Sequence, residues 1–401
     1  MTRLLTIFLV MLTVICVLCI GTRQGYAGDV RGVSDDTIKI GLIGDQTGVA
    51  APVGIPYTKA TKTLFQNIND KGGINGRKIK LIVEDDHYTI PGAIAGFKKL
   101  IFRDAVLSLL FIGGTGQAFA LLSQIEKHKV PVIPVSLADG LVSPVRKYVF
   151  TPTASYDDTI KLCVDYIVKD LKAKNPSIAF VYADNEFGKN GLRATEEYLT
   201  NYNLKLSSKA VINFTEIDAT PQVLTLKKSD PDYIILHNAV GAVLCFFQAA
   251  KRYSLRSKVF GTFYVSDEEN IKVVGDAMKD ALATSPIGYW SDNTPGMAQL
   301  RKITTKYHPG TKWMIRSYSQ GWLTALICAE GLKRAGKNLS PDTLVEGYET
   351  FKNFSTGEIS APISYSKNNH KGGTMSKLYK VDVKNQTFIP ITDFREPAFK
   401  D

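Results

Sequence analysis

An apolar run that breaks on glycine and resumes as a helix is the feature that most limits what this chain can become. Val106–Ile112 is apolar except for Ser108 and reads as a fully buried strand. Gly113-Gly114-Thr115-Gly116 then turns sharply, and Gln117–Lys129 continues with helical spacing. A strand that feeds a helix through glycines leaves backbone N–H groups free at the helix N-terminus. With the helix dipole, those groups suit an anionic or carboxylate-bearing ligand, and Thr115 and Gln117 offer specificity beside them. The turn alone leaves open a nucleotide, a metabolite or no ligand.

The same alternation runs through the rest of the chain. Thr37–Ile43 reads as a strand ending in the loop Gly44–Gly48, a helix begins near Pro56, and a strand at Lys78–Glu84 ends in Asp85-Asp86. Pro91–Phe102 reads as a helix, and Val130–Val135 as a strand closing on Ser136–Asp139. Short apolar strands alternating with helices predict a parallel sheet covered on both faces. The extended segment Tyr148–Thr153 and a long helix at Tyr156–Lys172 then start a second unit of the same kind. Its strands are expected at Ser177–Tyr182, Lys209–Asn213, Tyr233–Leu236, Lys258–Thr262 and Ala281–Thr284.

Helices follow at Gly296–Tyr307, Ser317–Ala335 and Pro341–Lys352, with strand-like pieces at Ile359–Tyr365 and Ser376–Val383. A tail this poor in strand adds to the two units rather than forming a third. The expected class is α/β: two Rossmann-like lobes with parallel sheets, joined by a three-segment hinge crossing near Thr153, Ser285 and Gly357. Residues 34–154 and 286–357 make the first lobe; residues 155–285 and 358–401 make the second. A cleft between hinged lobes is a place to trap a small molecule.

The front end predicts export. Arg3 precedes an apolar stretch from Leu4 to Ile20 interrupted only by Thr6 and Thr13, and Gly25-Tyr26-Ala27 supplies small residues for cleavage near Ala27. Removing residues 1–27, which carry Arg3 and Arg23 and no acid, takes the net charge from +11 to +9. The lysines are scattered, with no basic stripe interleaved with aromatics, so no nucleic-acid partner is expected. Cys16 and Cys19 fall inside the export segment. Cys163, Cys245 and Cys328 are an odd set on separate helices, which fits buried thiols.

Catalytic constellations are missing. The five histidines are well separated, no G-x-S-x-G or H-E-x-x-H occurs, and Gly188-Lys189 lacks both the first glycine and the Ser/Thr of a phosphate loop. Gly114-Thr115-Gly116 matches the start of a dinucleotide fingerprint, but Phe119 stands at its third glycine. Asp85-Asp86 reads as a loop pair rather than a metal site. No catalytic residue, metal or cofactor is expected, and the chain is not read as an enzyme. What recurs are polar and aromatic residues at strand carboxyl ends, where open α/β sheets bind ligands. Gln46-Thr47, Thr115–Gln117 and Ala138-Asp139 do so in the first lobe. Asn185–Phe187, His237-Asn238 and Phe263-Tyr264 match them in the second. Backbone N–H groups and hydroxyls would fix a carboxylate while aromatics desolvate the remainder.

Five blocks in order, IKIGLIGDQTG from Ile38, NINDKGGINGRKIKLIVEDD from Asn67, the GGTGQA turn, VPVIPVS from Val130 and YADNEFGKNG from Tyr182, carry a family resemblance. The mature chain resembles the type I periplasmic solute-binding proteins of ABC importers, in the branched-chain amino-acid (Leu/Ile/Val) family. The resemblance implies a periplasmic receptor that captures a small amino-acid-like or carboxylate-bearing solute by hinge closure and serves a permease and ATPase in the inner membrane. It implies that Thr115, Gly116 and Gln117, then Ala138 and Asp139, hold the ligand's carboxylate. Phe187 would close over the ligand, Ala239 and Tyr264 would face its ammonium or side chain, and Tyr57 would follow the first-loop position near Val53. Asp139 departs from the Ser or Thr common there and would repel a carboxylate unless protonated or paired with a cation. The acid expected near Tyr264 is also displaced, which opens the ligand class to aromatic or aliphatic acids, amides and polyamine-like solutes. Alternatives to import are a receptor signalling to a membrane partner, and an exported enzyme using the same cleft.

Overall fold

The computed structural model describes residues 30–399, so the expected export segment lies outside the described residues. The first lobe is built on β1 (Thr37–Ile43), α1 (Ala51–Asp70), β2 (Lys78–Glu84), α2 (Ile90–Lys98), β3 (Ser108–Leu110), α3 (Thr115–Lys127) and β4 (Val132–Ile133). Its four strands pair in the order β2-β1-β3-β4, all parallel. β3 and β4 are wholly buried because helices cover both faces, while the edge strand β2, KIKLIVE, keeps lysines at its exposed positions. β3 is shorter than its apolar run: Phe111 turns into the left-handed region at φ 62° and ends the ladder.

The second lobe comprises α4 (Tyr156–Asp165), β5 (Ile178–Tyr182), α5 (Glu186–Leu199), β6 (Leu206–Val211), α6 (Thr220–Ser229), β7 (Tyr233–His237), α7 (Val240–Arg252), β8 (Lys258–Gly261), α8 (Glu268–Val274) and β9 (Leu282–Ser285). The chain continues through α9 (Pro295–Tyr307), α10 (Arg316–Ala335), α11 (Pro341–Glu349), β10 (Lys377–Asp382) and β11 (Thr387–Pro390). The seven-stranded sheet runs β11-β10-β9-β8-β7-β5-β6. Its β6-to-β9 portion is parallel, while β10 and β11 add an antiparallel edge hairpin. The hairpin form needs no crossover helix, only a turn near Gln386 at φ 52°.

Three differences from the sequence reading stand out. Ile359–Tyr365 is no strand of either sheet; Ile363 and Phe354 only exchange a pair of backbone hydrogen bonds at 2.8 and 3.0 Å. β11 and the short α8 carry too few residues for a periodic signal. Helix α5 starts at Glu186, before the glycines at 188 and 191, because the Asn185 side chain accepts from the Gly188 N–H and caps it.

Helices α9–α11 return to the first lobe. Tyr318, Trp322, Leu323 and Cys328 of α10 join the core that holds Ile40, Leu64 and Leu109. Gly321 lets α10 close onto α1, since a Cβ there would collide with the Tyr57 backbone. Three crossing segments lie side by side between the lobes. Thr151 N–H donates to His370 at 3.0 Å, Gly372 N–H donates back to Thr151 at 2.9 Å, and Gly288 N–H donates to Ile359 at 2.7 Å.

Candidate functional site

A cluster of aromatic side chains lies between the lobes, where strand carboxyl ends of the two sheets meet. From the first lobe, Val53, Tyr88, Phe111, Gly113, Gly114 and Thr115 line it, with Ala50 and Val135. From the second come Tyr156, Phe187, Phe214, Ala239 and Tyr264. Apart from Tyr156, each of these follows the end of a strand, the position where α/β sheets leave loop residues and helix N-termini exposed.

The walls are held by ring contacts and by backbone bends. Phe187 stacks on His237 at 4.0 Å between centroids and meets Tyr156 edge-on at 5.0 Å. Tyr88 reaches across the cleft to Phe214 at 5.9 Å, so the lobes touch. Tyr88 and Phe111 both adopt positive φ, 55° and 62°. Left-handed backbone at bulky residues costs on the order of 1–2 kcal/mol each and persists where surrounding structure overrides it. Both strained residues point their rings at this cleft.

Beneath Phe187, His237 is fully buried and neutral: burial drives its pKa down to about 3. Its Nε2 lies 3.2 Å from the Phe187 carbonyl, which only accepts, so Nε2 carries the proton and Nδ1 accepts from the Thr262 hydroxyl at 2.8 Å. Beneath Tyr264, the buried Arg316 guanidinium stacks 3.8 Å over Phe263 and stands 3.6 Å from Asp267. The acids near Tyr264 are therefore Asp267 and Glu268, and both turn to Arg316 instead of the cleft. Asp267 also accepts from Ser317, and Glu268 accepts from the Arg316 N–H at 2.8 Å.

Thr115, Phe187, Ala239 and Tyr264 are brought together as cleft lining, as the sequence reading expects. The Thr115 hydroxyl shares a 2.8 Å hydrogen bond with Ser136. Six other expected residues do not line it. Gln46 is spent on the loop, where its amide donates to the Gly44 and Asp45 carbonyls and to Thr58. Tyr57 lies one layer behind the wall, edge-on to Phe111 at 4.4 Å. Gly116 sits at the mouth between Ile90 and Glu186, and Gln117 folds back against Gly114. Ala138 is core.

Asp139 is tied into the hinge. Its carboxylate receives Lys371 at 2.8 Å and the Ser155 hydroxyl at 2.7 Å. The same Lys371 ammonium pairs with Asp158 at 2.6 Å. Burial opposes that charge, but the carboxylates of Asp158 and Asp139 outweigh it and hold the ammonium above the usual lysine value. Tyr88, Phe111, Tyr156 and Phe214 escaped the sequence reading; the one usable signal was that all but Tyr156, which opens α4, begin or follow a strand-end loop.

The space left between these walls is about 40 Å³, smaller than the ~150 Å³ cavity that accommodates a benzene ring.

This two-walled geometry matches known proteins throughout its length. Among solved structures, a branched-chain amino acid ABC transporter protein from Thermus thermophilus with bound valine superposes with a TM-score of 0.84. It is 22% identical, over 91% of this chain and 98% of that one. A fatty acid ABC transporter substrate-binding protein from Thermomonospora curvata also reaches 0.84 at 22% identity, over 92% and 95%. In sequence, the leucine-, isoleucine-, valine-, threonine-, and alanine-binding protein of Pseudomonas aeruginosa is 22% identical over 315 residues, 78% of this chain and 82% of that protein. The Leu/Ile/Val-binding protein of Escherichia coli is 23% identical over 259 residues, 63% and 69%. The model of the periplasmic binding protein family matches residues 37–387, nearly the whole described chain, and the chain belongs to that family.

Proposed function

We propose that this protein is the extracytoplasmic solute-binding receptor of an ABC importer. It would capture a small amino-acid-like or carboxylate-bearing solute between its lobes by hinge closure and present the closed form to a membrane permease and its ATPase. The observation that carries this reading is the division of the aromatic cleft. Tyr88 and Phe111 belong to one lobe, Phe187 and Phe214 to the other, and the crossing segments lie behind them. A solute then gains its full set of contacts only when the lobes meet, and binding shifts the population to the closed form. The relatives named for Leu/Ile/Val binding and the fatty-acid neighbour support a solute receptor over an enzyme. The division into residues 34–154 with 286–357, and 155–285 with 358–401, is part of the same reading, as are export and cleavage near Ala27.

A thermal-shift screen of amino acids, aromatic and aliphatic acids, amides and polyamines tests it, because a ligand that binds the native state raises its apparent stability. A stabilising solute that also lowers the radius of gyration in small-angle scattering is the expected result. Turnover of that solute by the purified protein would overturn the reading in favour of catalysis.

A further inference from the structure

We propose that the cleft selects an amphipathic monocarboxylate with an aliphatic or aromatic body and no α-ammonium group. The inference rests on the solute-receptor reading and narrows its ligand.

Besides α1, whose N-cap residue Ala50 gives its N–H to the Asp45 carboxylate, two helices, one from each lobe, begin on the cleft, and neither has a side-chain cap. Gly114 stands at the N-cap of α3 and Ala239 at that of α7, and both line the chamber. Helix α5, which also reaches the cleft through Phe187, is by contrast capped by Asn185. The first N–H groups of a helix have no partner within it and carry the positive end of the dipole. Facing each other across apolar walls, they make an electropositive place where a carboxylate finds hydrogen bonds and its hydrocarbon body finds rings.

The residues lining the chamber include no charged side chain. The carboxyls beside Tyr264 are committed elsewhere: Asp267 to Arg316 and Ser317, Glu268 to the Arg316 N–H. Burial, then the Asp267 charge, pushes the Glu268 pKa up and so favours its neutral form. Ring faces attract cations, but here Phe187 already stacks on His237 and the two helix ends oppose a positive charge. An α-amino acid would bury its ammonium with no charged partner on the chamber walls, an unfavourable exchange with water.

One buried carboxyl supplies a signature of the ligand's sign. Asp86 lies directly behind Gly113, where a Cβ would run into its carboxylate, and its Oδ2 has no hydrogen-bond partner among the described residues. Its Oδ1 accepts from the Tyr88 N–H at 3.0 Å. The charged groups facing it are Asp45, held by the N–H groups of Thr47, Gly48 and Ala50, and Asp85, which pairs with His87. No charged residue of α3 faces it. Burial first, then Asp45 and Asp85, bring Asp86 up to about 6. A bound carboxylate beside Gly114 raises it further, so binding takes up a proton and weakens as pH rises above about 6. A bound ammonium would release a proton and bind better as pH rises.

Calorimetric titration of the mature protein with matched skeletons tests this. The panel is isocaproate, L-leucine, isocaproamide and isohexylamine, with hydrocinnamate and L-phenylalanine as the aromatic pair. Each acid is expected to bind at least about ten-fold more tightly than its amino acid, amide or amine. Titrations in two buffers of different ionisation heat should register proton uptake with the acids, and Asp86→Asn should abolish it. An amino acid, amide or amine that equals its acid, or proton release on binding, overturns the ligand class. The receptor reading survives that result, and it also survives if a solute outside the panel closes the lobes while both acids stay silent, an outcome that again overturns the ligand class. If no solute of the broad screen stabilises the protein or closes its lobes, the receptor reading fails as well.

Discussion

The Asp139 carboxylate meets the Lys371 ammonium at 2.8 Å, and this contact joins the loop after β4 to the third crossing segment of the hinge. Asp139 was the residue that fitted worst with a carboxylate site. Its true partner is a cation far along the chain, and the pair belongs to the frame that carries the lobes rather than to the cleft.

Lys371→Met should therefore destabilise the protein without touching the solute. It leaves Asp139 and Asp158 buried near each other with no cation, and breaking a buried pair from one side costs about 3–5 kcal/mol. Guanidinium unfolding measures the loss. Adding Asp158→Asn to the same chain should recover part of it, because one of the two stranded charges is then gone.

The fold was legible because it rests on local signals. Ile40–Ile43 and Ile178–Val181 are apolar runs that only a doubly covered strand tolerates, and glycines at 113, 114 and 116 mark the strand-to-helix turn. Thr115, Phe187, Ala239 and Tyr264 were legible for the same reason, each standing just past a strand end. Tyr88 and Phe111 were not, since what aims their rings is left-handed backbone at φ 55° and 62° that no periodicity records. Asp139 was misplaced because Lys371, like the Ser155–Lys371 contact 216 residues apart in sequence, comes near only through the hinge.

Two substitutions probe the cleft from its opposite walls. Thr115→Ala removes the hydroxyl shared with Ser136 and should weaken binding of a solute found by screening by about 1 kcal/mol. Phe187→Ala removes a ring buried to 4% exposure and should cost about 1.5–3 kcal/mol of binding, one to two orders of magnitude. Circular dichroism should show both folded. Unchanged affinity in both, by calorimetry, would move the site elsewhere.

Gly191→Ala acts on the same wall from behind. The new Cβ would fall 2.5 Å from His237 Cδ2, and the imidazole it displaces is the surface on which Phe187 rests. Overpacking of this kind costs about 1–3 kcal/mol of stability. Weaker solute binding should accompany it, although Gly191 does not line the cleft. If the melting temperature falls with affinity intact, Phe187 does not depend on His237 for its position.

The hinge-side carboxyl Glu268 makes the protein's stability depend on pH in a predictable direction. Burial, with Asp267 adding its charge, carries its pKa from the ordinary 4.5 up to about 8 in the folded protein. The native state then holds this proton more tightly than the unfolded chain. The stabilising contribution is complete below the ordinary value and is lost progressively as pH rises through about 8. Glu268→Gln keeps an oxygen to accept the Arg316 N–H but cannot ionise. The two proteins should therefore have similar stability near about pH 5, and the variant should become the more stable one by about pH 8. Guanidinium unfolding at a series of pH values measures the divergence. Parallel curves across that range would mean that Glu268 does not hold its proton in the folded state, and that Arg316 neutralises both neighbouring carboxylates.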